Sequence, residues 1–523
     1  MTVFLKGAAS SLALTALLTA AASAQSVLRL DEVPVGELDP AKASDYADSI
    51  LMFNAYDTLV LPAQGAPGHV PHLATAWEID GNSFTFTLRD DVTFHSGNPM
   101  TAADVVYSVE RAQAMEQGLS FLLGIVEAVE AVDDTTVRFT LSEPYAPFVA
   151  SLTRLPIVDS VAVMANEVDG DMGEAYLSAN SAGTGAYIVE SHNPQDQTVL
   201  VQNPDYFLAI DDGAPDEVRL RYGLEAATVR ALVAQGEHDI TSQWLPPEVL
   251  RALAEDGAQL LSESGTGAFY VKLNTTMAPL DDVNCRLALA SAFDYQTAIA
   301  ITQITDGYAG GVPATGAIPG GMFGANGPDM ALAQDMDAAM AHLSNCAYDP
   351  SEHTLEISWI AEVPIEERFA LLMQANFSQL GFDTEIVRVP WVLFTERVAT
   401  PETTPHISQV FVNAVTGDPD TLLYPMYHST SAGTWQSPEN LNDAEVDRLL
   451  EEGRTATTEA GREAAYSALN ARLMALAPTI YGFDRNSVFA ANPDISVPAL
   501  SDPDAAFGLD SIGFTFRLMD MDG

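Results

Sequence analysis

FTFTLRDDVTFHSGNPMTAADVVYSVER, residues 84–111, reads as a strand, a tight loop and a capped helix. Phe84, Phe86 and Leu88 alternate with Thr85, Thr87 and Arg89, the period-2 pattern of a half-buried strand. Ser96-Gly97-Asn98-Pro99 breaks the chain. Thr101, with Asp104 three residues on, forms a capping-box pattern for the helix that follows. No residue in this stretch is placed for chemistry, so it predicts scaffold.

Outward from it, the ends and the composition narrow the class. Lys6, the apolar run at 11–20 and Ala22-Ser23-Ala24 have the form of a secretory signal peptide covering residues 1–24. No Cys stands at residue 25, so a lipoprotein anchor is not expected, and the localisation predicted is periplasmic. No later stretch has the roughly 18 unbroken apolar residues of a membrane span. A chain of 523 residues exceeds one hydrophobic core and predicts several subdomains. With 72 acidic against 22 basic residues the net charge is −50, a field that repels phosphate backbones and excludes a nucleic-acid partner. The same acidity suits either attraction of a cationic solute or a strongly hydrated surface in salty surroundings. Cys285 and Cys346 are the only cysteines, and in an oxidising compartment the pair predicts a disulfide, against the alternative of two buried thiols. Neither has ligand-spaced neighbours for a metal, and no cofactor is implied.

Several motifs share one resemblance: FHSG at 94–97, PYAPF at 144–148, GTGAY at 183–187, NPDYF at 203–207, and Asn274 followed by PLDD at 279–282. Together with residues 84–111 they resemble the family 5 extracellular solute-binding proteins, the peptide- and nickel-binding components of ABC importers. The resemblance implies an α/β, two-lobed periplasmic-binding-protein fold with hinged lobes, mixed sheets and an extra inserted subdomain. Lobe one is expected at 25–66, 182–268 and 479–523, the inserted subdomain at 67–181, and lobe two at 269–478. The lobes are then joined by two crossings, near residues 265–270 and 479–484. The partners implied are a small-molecule or peptide ligand and the permease subunits of the importer, with the chain itself a monomer.

Clefts of this kind combine aromatic walls with a few placed polar groups. Trp391, just after a predicted strand at 384–389, matches a pocket-lining tryptophan of the family. Trp244, the Asp45-Tyr46 loop, and Tyr270 at the hinge are expected at the cleft, each with a competing role as a packing residue. Residues 409–424, QVFVNAVTGDPDTLLY, are the most diagnostic. Peptide-binding relatives place an Asp four residues before this proline, where it grips the α-amino group, and a Trp three residues before that Asp. Counted back from Pro419, those positions are Val415 and Val412. A valine cannot supply the charge-assisted bond that a desolvated ammonium needs. The arginine that dipeptide binders use for the carboxylate is also absent from 360–364. Asn413 remains to offer an amide, and Asp418 and Asp420 read as helix caps.

No H-E-x-x-H, G-x-S-x-G, S-x-x-K or Walker pattern occurs, so an enzyme is not expected. The leading reading is capture of a small solute, peptide-like or otherwise polar, and its delivery to a permease. A sensory or adaptor protein, or a nickel-type chelate binder using His428, is the alternative. Val415 and the missing arginine favour a polar or cationic solute or an atypical peptide derivative over free dipeptides.

Overall fold

In the computed structural model, which describes residues 25–65, 68–502, 504–509 and 511–521, the quoted stretch forms the expected strand and helix. The signal-peptide segment lies outside the described residues. The strand is Ser83–Leu88, and it sits second in an antiparallel sheet ordered Ala74–Asp80, Ser83–Leu88, Thr136–Leu141, Val126–Asp133. Its inward residues, Phe84, Phe86 and Leu88, join Phe139 and Phe148 in one core, with the rings edge to face. The helix is Ala102–Met115, opened by the Thr101–Asp104 capping box. Asp104 does more than cap: its other oxygen accepts from the backbone and hydroxyl of Ser160 at 3.0 and 2.6 Å. At the far end Arg111 makes a buried bidentate pair with Asp39, both contacts 2.6 Å.

Two motifs that stand apart in sequence meet in space. His95 of FHSG binds GTGAY twice, its backbone N–H to Gly183 O and its Nε2 to Gly185 O, both at 2.9 Å. The glycines are required there. A Cβ on Gly183 would lie 2.1 Å from Ala55 O, and one on Gly185 would lie 2.3 Å from Asn54 O. The return strand therefore lies against the end of helix Tyr46–Ala55.

A second sheet, ordered Val27–Glu32, Glu217–Tyr222, Gln197–Gln202, Tyr187–Asn193, starts with a parallel pair and continues antiparallel. A third has six strands: Gly311–Val312, Thr479–Ala491, Gln259–Leu273, Ile407–Asn413, Thr354–Ile360 and Asp383–Val389. The two longest, Gln259–Leu273 and Thr479–Ala491, run antiparallel from Gln259↔Ala491 to Lys272↔Thr479, with a break in register between Ser264 and Ala268. At one end Leu261, Phe489 and Ala491 pack with Leu28 and Tyr187. At the other, Phe269, Ile480 and Phe483 pack with Leu355 and Phe369. These strands therefore run from the core of lobe one into the core of lobe two. Two connecting strands interrupted by a bulge form a hinge.

Lobe two is closed by helices Ile365–Ser378, Ala444–Thr455 and Glu459–Leu476. Its core holds an ion pair, Lys272 Nζ to Glu439 Oε1 at 3.3 Å, with neither side chain exposed. Burial lowers the Lys272 ammonium and pushes Glu439 up to about 7. The Tyr427 and Tyr270 faces, 4.3 and 5.5 Å from Nζ, add two cation–aromatic contacts. Cys285 and Cys346 are joined in a disulfide. Among the described residues no helix is long and apolar enough to cross a membrane.

Candidate functional site

The strands aim their carboxyl ends at the gap between the lobes, the usual place for a ligand in an open α/β sheet. In lobe one, Val27–Glu32 runs parallel to the segment through Ile240, and the two deliver Glu32, Ser242, Gln243 and Trp244. In lobe two, the parallel strands Thr354–Ile360, Asp383–Val389 and Ile407–Asn413 deliver Glu362, Trp391 and Asn413. Between them stands Arg485, on the crossing strand Thr479–Ala491. Its guanidinium lies 4.8 Å from the Trp244 ring centroid and 5.9 Å from that of Phe411, one from each lobe.

The residues expected from sequence distribute unevenly over this gap. Trp244 is half exposed, with its backbone N–H on Ser242 Oγ and its side chain donating to Glu32. Burial pushes Glu32 up to about 7. Trp391 is 37% exposed and opens helix Trp391–Arg397; its backbone N–H donates to Glu362 Oε2 at 3.0 Å, and its ring packs edge-on against Trp435 at 5.2 Å. Asn413 ends its strand opposite Gly267, and its Oδ1 is buried without a partner among the described residues. Val415 presents its carbonyl, which accepts from Arg154 Nε at 2.6 Å.

Two expectations need correction. Asp45 and Tyr46 do not form a loop: Asp45 is the N-cap of helix Tyr46–Ala55, in a capping box with Asp48, and Tyr46 is its first residue. Tyr46 still points toward the hinge, its hydroxyl donating to Glu263 Oε2 at 3.0 Å. Tyr270 is fully buried, its hydroxyl on Ala317 O at 3.2 Å and its ring edge-on to Tyr481. It packs the interior of lobe two, so its place at the hinge does not bring it to the gap.

Where the inserted subdomain meets lobe two, a cavity of about 620 Å³ opens, within the range of small-molecule sites. Pro62, His69 and Phe507 line it from one side, Ala146, Pro147, Val149 and Ala150 from the inserted subdomain, and Phe323, Thr416 to Asp418, Glu459 and Arg462 from lobe two. Asp418 is already neutralised by Arg462, at 2.8 and 2.9 Å. Burial lowers His69, keeping it uncharged at neutral pH. Beside the cavity, Tyr145 donates to Asp420 Oδ2 at 2.8 Å, Arg454 reaches the same oxygen at 3.1 Å, and Ala146 N–H donates to Arg454 O at 2.8 Å. Asp418 keeps a capping role, accepting from Asp420 N at 3.0 Å, but both acids chiefly hold arginines.

His72 is bonded to Asp57 at 2.6 Å, and His428 is buried against Tyr424, with ring centroids 4.3 Å apart. No group of three or more metal-ligating side chains occurs among the described residues. Sequence reading missed Arg485, Gln243, Arg154 and the Tyr145–Asp420–Arg454 cluster. One signal was present: Asp484-Arg485 places two charges inside an otherwise largely apolar crossing strand.

The sequence profile of the bacterial extracellular solute-binding proteins, family 5 Middle, matches residues 68–434. The chain is 28% identical over 469 residues, 88% of each chain, to the probable D,D-dipeptide-binding periplasmic protein of Escherichia coli K12. It is 27% identical over 450 residues, 79% of this chain and 78% of the relative, to heme-binding protein A of Haemophilus influenzae. In three dimensions it resembles the ABC transporter substrate binding protein CtaP of Listeria monocytogenes, with a TM-score of 0.82 at 20% identity over 95% of this chain and 98% of that one. The periplasmic binding protein DppA of Helicobacter pylori, in complex with the peptide STSA, gives a TM-score of 0.76 at 23% identity, over 95% and 99% of the two chains. With two hinged lobes, a gap between their strand ends and a profile match over most of its length, the chain belongs to the bacterial extracellular solute-binding proteins, family 5, the solute-capturing components of ABC importers.

Proposed function

We propose that the protein works in the periplasm as a monomer, takes up a small polar solute that lacks a free α-ammonium group, and passes it unchanged to its permease. A peptide derivative blocked at its amino end fits this description. The relatives' names span a D,D-dipeptide, heme and di- or tripeptides, so selectivity has to be read from this chain's own cleft. The observation that carries the reading is Val415. Its side chain offers no charge, and its carbonyl is engaged by Arg154. Asp418, the nearest cavity-lining acid in the chain, is held by Arg462, so an incoming ammonium meets no uncommitted carboxylate on that loop.

Solute capture then follows from the hinge. Contacts between the inserted subdomain and lobe two, Tyr145 to Asp420 and Arg154 to Val415, favour the closed arrangement. A ligand that touches both lobes adds to them and shifts the open–closed population by its differential affinity. Thermal-shift titration with unmodified dipeptides and their N-acetyl counterparts tests the reading. A larger melting shift with the N-acetyl series is expected; stronger stabilisation by the unmodified dipeptides overturns it. Mass spectrometry of solute retained through native purification supplies an independent check.

A further inference from the structure

We infer that Arg485, with the side-chain amide of Gln243 and the face of Trp244, forms a receptor for a single carboxylate at the hinge of the cleft. The inference rests on the reading of the interlobe gap as the solute site and names the chemical group it holds.

Four observations converge on it. First, Arg485 lies where the crossing strand passes between the lobes, in contact with Trp244 of one and Phe411 of the other. A ligand bound there touches both halves of the jaw. Second, the guanidinium has no carboxylate within ion-pair distance among the described residues; its one side-chain hydrogen bond goes from Nη2 to Gln243 Oε1, at 2.5 Å. Arg221, Arg251, Arg286, Arg388 and Arg517 also lack an ion-paired acid among the described residues, but each of them donates to a backbone carbonyl, and Arg485 donates to none. Third, Gln243 is oriented by its neighbours. Its Oε1 accepts from both Arg485 and Ser487 Oγ, the latter at 2.5 Å, so the amide cannot flip without opposing donor to donor. That leaves Nε2 buried with no partner among the described residues, a second donor on the same amide that the guanidinium holds. Fourth, Trp244 is half exposed and held at its edge by Glu32, so its ring is a fixed apolar wall.

Guanidinium N–H groups in a planar fork, an amide N–H beside them and aromatic surface around them match a planar oxyanion. A carboxylate is favoured over a phosphate because its two oxygens match the two donor sets on hand, one guanidinium fork and one amide N–H, whereas a phosphate brings a third oxygen and a second charge. The assignment complements the missing ammonium partner at Val415: one end of the solute is anionic and the other uncharged.

Calorimetric titration of the full-length protein with N-acetyl-Ala-Ala and with its C-terminal amide tests the inference, since the two probes differ only at the carboxylate. The wild type is expected to prefer the acid by about 10–100-fold, the range of a charge-assisted hydrogen-bond pair. Arg485→Gln is expected to bind both forms equally and weakly, and Arg485→Lys to keep part of the preference. Gln243→Leu provides a second route should the arginine variants fail to fold, with a several-fold loss confined to the acid. Equal binding of acid and amide by the wild type, an unchanged preference in Arg485→Gln, or no binding of either probe overturns the carboxylate receptor. The first two of those outcomes leave solute capture standing. Tighter binding of unmodified dipeptides than of N-acetyl ones overturns the blocked-amine reading instead, while acid-over-amide preference still reports on Arg485.

Discussion

Arginines stand at two places along the gap, and the protein treats them differently. At the loop after strand Ile407–Asn413, Arg462 and Arg454 are matched one to one with Asp418 and Asp420, and Arg454 also covers the Tyr424 ring at 3.7 Å. At the hinge, the Arg485 guanidinium is met, among the described residues, by an amide oxygen and two aromatic faces. A matched guanidinium braces the fold, because its charge is spent within the protein. Arg485, with neither an acid nor a backbone carbonyl against its guanidinium among the described residues, is the one proposed above to keep donors for a solute. The contrast separates support from recognition without reference to any ligand.

Removing the acid on the matched side should give the largest effect. Asp420 is buried and serves both Arg454 and Tyr145. Asp420→Ala leaves a partly buried cation and a phenol without their acceptor, and should cost about 3 kcal/mol in urea unfolding. A loss under about 1 kcal/mol would mean that this cluster is no brace, and the distinction between the two sites would fail with it.

Next in size comes the residue beside the unmatched arginine. Asp484 is a buried acid without a base: its Oδ2 accepts from Gly320 N at 2.6 Å and its Oδ1 has no partner among the described residues. Adjacent strand residues point to opposite faces, so Asp484 and Arg485 do not neutralise each other. Burial pushes Asp484 up to about 7, from an ordinary value of 3.8. The folded state thus holds a proton that the unfolded chain has already released. The stability tied to that proton is complete below about pH 4 and is lost as pH rises through about 7. Asp484→Asn, which keeps an acceptor for Gly320, should be more stable than wild type at pH 8 by roughly 2 kcal/mol, with the difference vanishing near pH 4. Parallel pH profiles in the two proteins would expose Asp484 as an ordinary solvated acid.

What the sequence could reveal of this follows from the range of each interaction. Strand Ser83–Leu88 and helix Ala102–Met115 are legible because alternation and a capping box are local patterns. The two crossings are legible through motif order, since the resemblance supplies the topology. Asp45 defeats the same reasoning: an acid followed by an aromatic reads as a loop until Asp48 turns it into a cap. Tyr270 is misjudged because a strand buried on both faces offers no alternation to tell core from cleft. Arg485 acquires meaning only when folding brings Gln243, 242 residues away in the chain, against it. Periodicity carries no trace of such a contact.

A smaller effect tests the brace from the other side. Tyr145→Phe removes one hydroxyl that links the inserted subdomain to Asp420 in lobe two, and should cost about 1 kcal/mol. Because the link spans the gap, part of that cost should appear as opening: a larger radius of gyration of the free protein by small-angle scattering and a few-fold weaker solute binding. Unchanged scattering and affinity would confine the hydroxyl to local packing.

The smallest effect on stability is the most informative one. Arg485→Gln should change urea stability by less than about 1 kcal/mol, because the wild-type side chain gives up one hydrogen bond and two cation–aromatic contacts and frees no buried acid. The same change in Arg454 or Arg462 strands a carboxylate and should cost several times more. A guanidinium dispensable to the fold and required for binding an acid is a receptor; one whose loss unfolds the protein is a brace. Equal destabilisation by Arg485→Gln and Arg462→Gln would erase that line, since it would require an acid paired with Arg485 in solution and leave the hinge no free charge to offer a solute.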